Sequence, residues 1–538
     1  MRASGDVIVV GSGASAVQAA QTVVEAGRTV VMLDVGHEDT TYAPLIPESP
    51  FARLRRSDQD QHRYFLGDEF EGVPLGGLGS GPQVTPPRQY VLRQVDTLTP
   101  TRSSDFVALE SLALGGLGGA WGAVCFPFLD YELEQCGLPA GEMMEHYEVV
   151  ARRVGISGDH DDLEPLRGRI ESLQAPLEID ANAALILNCY ERRKKAFSHE
   201  RIYIGRPLMA ALSRAMNGRQ ANPYYDMDFW SNAGNSVYRP QITMRQLEGA
   251  RNFSYHRPYL VDAFSETADG RVSVRARALD GGNAETFEAR RLILAAGALG
   301  TARIALRSLG QYDVPVPLTC NAHTYVPCLH YRNLGRAHPD RCHSLAQLTM
   351  IYDPTGDRRH LVQGQLYSYR SLLLFRLLKE LRLPQSESLR IMRELAPSTV
   401  IWVIQYEDRP TPDHYCILRR DPSKGGDYLD IVWRNSPAVE QSRQSSERAM
   451  MRAMRRLGCW PLRRVHSQHG SSVHYAGTLP FSAIDKPLTT EPVGRLRGTG
   501  AVYVADGAAF AYLPAKGLTG TLMANADRVG RFVVRSLD

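Results

Sequence analysis

Asp6-Val7-Ile8-Val9-Val10-Gly11-Ser12-Gly13-Ala14-Ser15-Ala16, followed after a helix-like stretch by Thr29-Val30-Val31-Met32-Leu33-Asp34, is the part of this chain that decides its fold. A short apolar run bounded by glycine reads as a buried strand, and a second such run ends at an acid. Strand, glycine turn, helix, strand and acid in that order predict a Rossmann-type βαβ unit. Gly11 serves the tight turn, Gly13 lets the backbone approach a pyrophosphate, and Ala14 and Ser15 open a helix whose amides and dipole face that charge. Asp34, about 20 residues past the turn, is placed to accept hydrogen bonds from an adenosine ribose. Alanine stands at the third small-residue position, Ala16.

Composition narrows the rest. With 538 residues the chain exceeds what one hydrophobic core usually supports, so two domains are expected. The 62 Lys and Arg nearly balance 58 Asp and Glu, and no basic stripe interleaves with aromatics, which argues against a nucleic-acid partner. The 8 cysteines form no Cys-x-x-Cys pair, so no metal site is expected. Scattered thiols, and a first strand that begins too early to leave room for a signal peptide, point to a reducing, cytoplasmic setting. No apolar run reaches bilayer length, so no integral membrane segment is expected. The nearest candidate, Leu372 to Leu381, reads as an amphipathic core or interface helix, the alternative being an element that lies on a membrane surface or covers a substrate channel.

Along the chain the patterns alternate between two units. The expected fold is α/β, α+β overall: a Rossmann-like cofactor domain built from residues 1–160, 251–312 and 460–538. A discontinuous substrate domain, an antiparallel sheet plus helices, takes residues 161–250 and 313–459. Within it, residues 399–406 and 428–433 read as strands of one second sheet. The glycines and prolines of residues 68–88 read as a loop, either one that covers the cofactor or gates the site or a merely exposed excursion.

Four further motifs follow the fingerprint in order: Gly115-Gly116-Leu117-Gly118-Gly119-Ala120-Trp121-Gly122, Ala295-Ala296-Gly297-Ala298, His474-Tyr475-Ala476-Gly477-Thr478, and Val504-Ala505-Asp506-Gly507. The set resembles the glucose-methanol-choline family of FAD-dependent oxidoreductases over about half the chain. The Trp121 variant is most similar to its pyranose-oxidase and sugar-dehydrogenase branch. That resemblance implies FAD, with Gly11, Gly13, Ala14, Ser15, Ala16 and Asp34 around the ADP half and Val261 near the adenine. Gly116, Gly119, Trp121, Gly122 and Ala123 would pass the isoalloxazine. Ala296 and Gly297 would form a domain turn, while Asp506, Gly507 and Thr519 would contact the rest of the cofactor. Ala120 occupies the place of the histidine that carries flavin in covalent relatives, which implies non-covalent binding.

The same resemblance makes His474 the base or alkoxide stabiliser at the substrate hydroxyl, a role suited to a neutral imidazole. The family's second histidine or asparagine is replaced by Gly517, leaving Lys516 or Thr519 as candidate substitutes. His466 and His469 are read as loop residues. The implied activity is oxidation of an alcohol group of a polar small molecule, such as a sugar, glycoside or aminocyclitol-like metabolite, with dioxygen or another acceptor taking the electrons. The alternative is a lyase or isomerase of the same family that uses His474 as acid and base without net redox. Trp230, Tyr224, Tyr225 and Trp402 are candidates for stacking on a sugar face.

Overall fold

The computed structural model describes residues 4–72, 85–336, 341–368, 383–423 and 425–538. The amphipathic stretch 372–381 and most of the glycine- and proline-rich loop lie outside the described residues.

The opening fingerprint forms the strand Ser4–Val10, the helix Ala14–Glu25 and the strand Val30–Leu33. These strands pair in parallel, with Phe253–His256 outside Val30–Leu33 and Ala284–Leu294 on the other side. Ala284–Leu294 does two jobs. Its first half runs antiparallel to Val272–Ala278 and is largely exposed, whereas its second half is flanked in parallel by Ser4–Val10 and Val502–Val504. The burial follows: Leu292, Ile293 and Leu294 are fully buried, as a strand covered on both faces requires. On this sheet the helices Ala14–Glu25 and Thr519–Arg535 pack closely. A Cβ on Gly530 would lie 3.1 Å from Ala19 O, so glycine is what permits the approach.

The second seven-stranded sheet is antiparallel throughout. Its order is Cys459–Pro461, His323–His330, Thr399–Gln405, Val362–Ser368, Leu348–Tyr352, Ile202–Gly205, with Val465–His466 also on His323–His330. Tyr190, Phe197, Trp402, Met450 and Met454 form an apolar core of this unit. Residues 399–405 and 428–433 do not share a sheet, contrary to the sequence reading. The latter belong to Gly426–Trp433, part of a four-stranded sheet with Pro315–Pro317, His414–Asp421 and Thr101–Arg102. Apolar alternation identifies a strand but says nothing of its neighbour, which here is chosen by the hairpin His414–Asp421 to Gly426–Trp433.

All 8 cysteines are free thiols, and among the described residues no group of His, Cys, Asp and Glu is arranged to hold a metal ion. No described helix is long and apolar enough to cross a membrane.

Candidate active site

A cavity of about 390 Å³ runs between the two large sheets. The glycine turn, the Gly116–Val124 segment, Ala295–Gly300 and the Asp506–Gly507 turn line it from the first unit. His323, Tyr325, Gln363, Gln365, Tyr367 and Gln405 line it from the second, and His474 joins them from the tail.

The fingerprint end is built to receive an anion. Gly11 has φ +95°, and a Cβ there would stand 2.7 Å from Ala295 O, so no other residue fits. At Gly13 an added Cβ would meet only Gly115 O at 3.9 Å, which leaves the backbone open to the cavity. Three helices begin at this cavity: Ala14–Glu25, Ala298–Ser308 and Thr519–Arg535. None has a side-chain cap or an acid in its first turn. At Ala298–Ser308 the Asp506 carboxylate already takes the Gly297 amide, while the uncapped amides of Ala14–Glu25 and Thr519–Arg535 favour negative charge in the cavity.

Asp34 lies at the end of its strand and is buried, which pushes its carboxyl up to about 6 against the hydrogen bonds of Ser12 and Tyr255. Both hydroxyls bond the same oxygen, Oδ2, the Tyr255 bond being 3.0 Å. Val261 lines the cavity beside a β-bulge between Val261 and Ala263. Asp506 faces the cavity, but its carboxylate is engaged by protein donors: Gly297 N at 2.8 Å, the Thr301 hydroxyl at 2.6 Å and Ala508 N at 2.9 Å. It braces two turns against each other, so any cofactor contact comes in addition to that role. Burial raises it, too, to about 6.

The glycine-dense segment divides its work. Added Cβ atoms on Gly118 and Gly119 would collide at 2.8 Å with Pro240 and Gln241, so these glycines admit a neighbouring helix; Gly118 also lines the cavity, and Gly119 does not. Gly122 and Ala123 form the cavity wall, Ala123 at φ +61°, and the Trp121 indole is fixed by a 2.7 Å bond from Nε1 to Tyr238 O. Ala120 lines the cavity.

At the opposite wall, pairing of Tyr475–Ala476 with Thr319–Cys320 brings His474 against the start of the strand His323–His330. The His323 and His474 rings meet edge to face with centroids 5.5 Å apart. Burial drives His474 down to about 3, with His323 adding to the shift, and burial drives His323 down to about 4. Both rings are therefore neutral near pH 7. Val473, a β-branched residue at φ +57°, holds the turn that presents His474, a strained backbone of the kind found at functional positions.

Gln405 sits beneath the imidazoles. Its Nε2 lies 2.7 Å from Lys516 O, 3.1 Å from Asn321 Oδ1 and 3.3 Å from His474 Nδ1. Sheet register puts His323, Gln405 and Gln363 in one row, then Tyr325, Val403 and Gln365 in the next. This polar face was not identified from sequence. Its available signal was period-two polarity inside apolar strands, as in Val362-Gln363-Gly364-Gln365-Leu366-Tyr367.

Other expectations are redirected. Gly517 and Thr519 do line the cavity, but Lys516 does not: its amine turns away to Glu132 Oε2 at 2.6 Å in a fully buried ion pair, and only its carbonyl serves the site. Once paired, the ammonium cannot also reach a substrate oxygen. Trp230 packs on Phe51 and Phe65, Tyr224 packs on His343, and Trp402 is core. Neither these nor Tyr225 lines the cavity. Apolar packing claims such rings before a ligand can.

A largely parallel dinucleotide-type sheet thus faces an antiparallel sheet across one cavity. The chain superimposes over 99% of its length on 98% of a formate oxidase from Aspergillus oryzae RIB40, with TM-score 0.61 and 11% identity. An FAD-dependent oxidoreductase from Chaetomium thermophilum gives TM-score 0.58 at 14% identity over 99% of both chains. Pyridoxine 4-oxidase from Mesorbium loti gives 0.54 at 13% identity over 98% of both. No family model and no curated protein matches the chain. The fold anticipated from the glucose-methanol-choline resemblance is thus present.

Proposed function

We propose that this protein is an FAD-dependent oxidoreductase of the glucose-methanol-choline type that oxidises an alcohol group of a polar small molecule. The observation carrying this reading is the single cavity that joins an anion-receptive glycine turn to a buried pair of neutral imidazoles. The residues present fit FAD. The open backbone at Gly13 and the uncapped ends of Ala14–Glu25 and Thr519–Arg535 suit its pyrophosphate, Asp34 at its strand end suits the ribose, and Val261 suits the adenine. Gly122 and Ala123 leave room for a flat ring beside His474.

Bound there, FAD supplies a two-electron acceptor for hydride. The chain supplies the rest. His474, neutral and desolvated, meets the substrate hydroxyl, and the tyrosines and glutamines of the sheet face hold the remaining polar groups. Buried walls exclude water and strengthen each of those bonds. Within this class of substrate a sugar, glycoside or cyclitol suits a lining rich in amides and hydroxyls. Dioxygen is the acceptor in the reading drawn from the oxidase neighbours.

The test is direct. Recombinant protein should purify yellow, and anaerobic addition of the right alcohol from a panel of sugars, glycosides, cyclitols and simple alcohols should bleach the visible flavin absorption. His474→Ala should slow that bleaching at least 100-fold, within the range for a lost acid–base or oxyanion group. A colourless protein that takes up no FAD would end the proposal. Product formation without bleaching would favour the lyase or isomerase alternative.

A further inference from the structure

We infer that His323 is the residue that takes the substrate's hydroxyl proton, while His474 holds the oxygen as a hydrogen-bond donor. This division of labour rests on the flavin-dependent oxidation argued above. Motif order directs attention to His474 alone, yet the tertiary structure brings a second imidazole into the same cavity from a strand 151 positions earlier.

The hydrogen-bond network separates the two rings. Gln405 Nε2 carries two hydrogens and has two neighbours that can only accept, Lys516 O at 2.7 Å and Asn321 Oδ1 at 3.1 Å. That fixes the orientation of the amide, since its oxygen in the same place would face two other oxygens. An amide nitrogen is no acceptor, so a hydrogen on His474 Nδ1, 3.3 Å away, would be aimed at N–H groups. The neutral ring that fits keeps Nδ1 bare and its hydrogen on Nε2. Such a ring donates at Nε2 and has no lone pair there to accept a proton.

His323 has the complementary property. Its Nε2 is buried and has no hydrogen-bond partner, an uncommon state for a buried polar atom and one that calls for a function. The ring lines the cavity, with Gln405 lying against it. At Gly517 there is no side chain to play this part, and an added Cβ would press on Val124 O at 3.3 Å, against the wall expected to face the flavin. The missing partner is therefore supplied from the sheet rather than from the tail.

The step balances. The substrate O–H bond breaks and its proton forms a new N–H bond at His323 Nε2. The C–H electron pair leaves with its hydrogen as hydride to oxidised flavin, and the carbon–oxygen bond becomes a carbonyl. His474 keeps its Nε2 hydrogen throughout, bonded to the oxygen as negative charge develops.

The experiment uses the yellow holoprotein and whichever alcohol of the panel bleaches it. His323→Leu and His323→Asn should both slow anaerobic bleaching by roughly 100-fold or more, because neither side chain accepts a proton. His474→Asn, which still donates, should lose at least tenfold less than His323→Asn. The unreactive O-methyl ether of the same alcohol, titrated by its perturbation of the flavin spectrum, should bind every variant within about tenfold of the parent, placing the loss in the chemical step. If His323→Leu fails to hold flavin, His323→Asn decides. Bleaching of His323→Asn at the parental rate, or a larger loss at His474→Asn than at His323→Asn, overturns the assignment. A parent that no alcohol bleaches tells instead against the flavin-dependent reading beneath it.

Discussion

His474 is held neutral by burial and by the nearby His323, so its folded-state pKa, about 3, lies far below the 6.5 of an unperturbed imidazole. Between those values the unfolded chain binds a proton that the folded chain does not. The neutral ring therefore favours folding fully above about pH 6.5, and that contribution is lost as the pH falls towards 3. Replacing it with Asn removes the titration. The difference in melting temperature between parent and His474→Asn should thus be constant from pH 8 to 7 and shift against the parent by pH 5. By linkage the shift there is on the order of 2 kcal/mol. A difference that does not change with pH would mean that the ring is not desolvated as described.

Among the elements, the helix Ala14–Glu25 carries the clearest expectation. Its N-terminus has no side-chain cap and opens onto the cavity, where the proposed function puts the pyrophosphate. Ala14→Asp places a carboxylate where the dipole welcomes one, worth about 0.3–1 kcal/mol to the helix. The protein stripped of flavin should therefore melt no lower than the parent, while its affinity for FAD, followed by flavin fluorescence, should fall at least tenfold. Affinity unchanged by the new charge would place the pyrophosphate elsewhere. This element was legible in the sequence because everything that makes it lies within about 30 residues, strand, turn, helix and acid in order. The strand Val362–Ser368 was not: its Gln363 and Gln365 acquire meaning only from the strands on either side of it.

Across the whole molecule, the buried pair of Lys516 and Glu132 ties the tail to the helix Asp130–Cys136. Burial pushes Glu132 up and Lys516 down, and their mutual attraction opposes both shifts. Removing one partner leaves the other charge stranded. Lys516→Met should therefore cost about 3–5 kcal/mol, whereas Lys516→Met with Glu132→Leu should recover much of that loss. Thermal melts of the three proteins check this, and equal loss in the single and double variants would count against a coupled pair. In the sequence Lys516 is a candidate substitute for the missing second histidine or asparagine because it adjoins Gly517. What turned it away was a carboxylate 384 residues distant in the chain.

The sequence by itself determined what short-range chemistry can encode: the βαβ unit, the glycine turns, the small-residue wall and the histidine of the tail motif. Each of these depends on backbone geometry or residue order within a few tens of residues, so a single pass along the chain suffices. Tertiary structure alone decided which strands share a sheet, which polar side chains face the cavity, and that His323 stands beside His474. Those facts depend on sheet register and on contacts between segments far apart in the chain, where burial and hydrogen-bond satisfaction, rather than local propensity, select the neighbour.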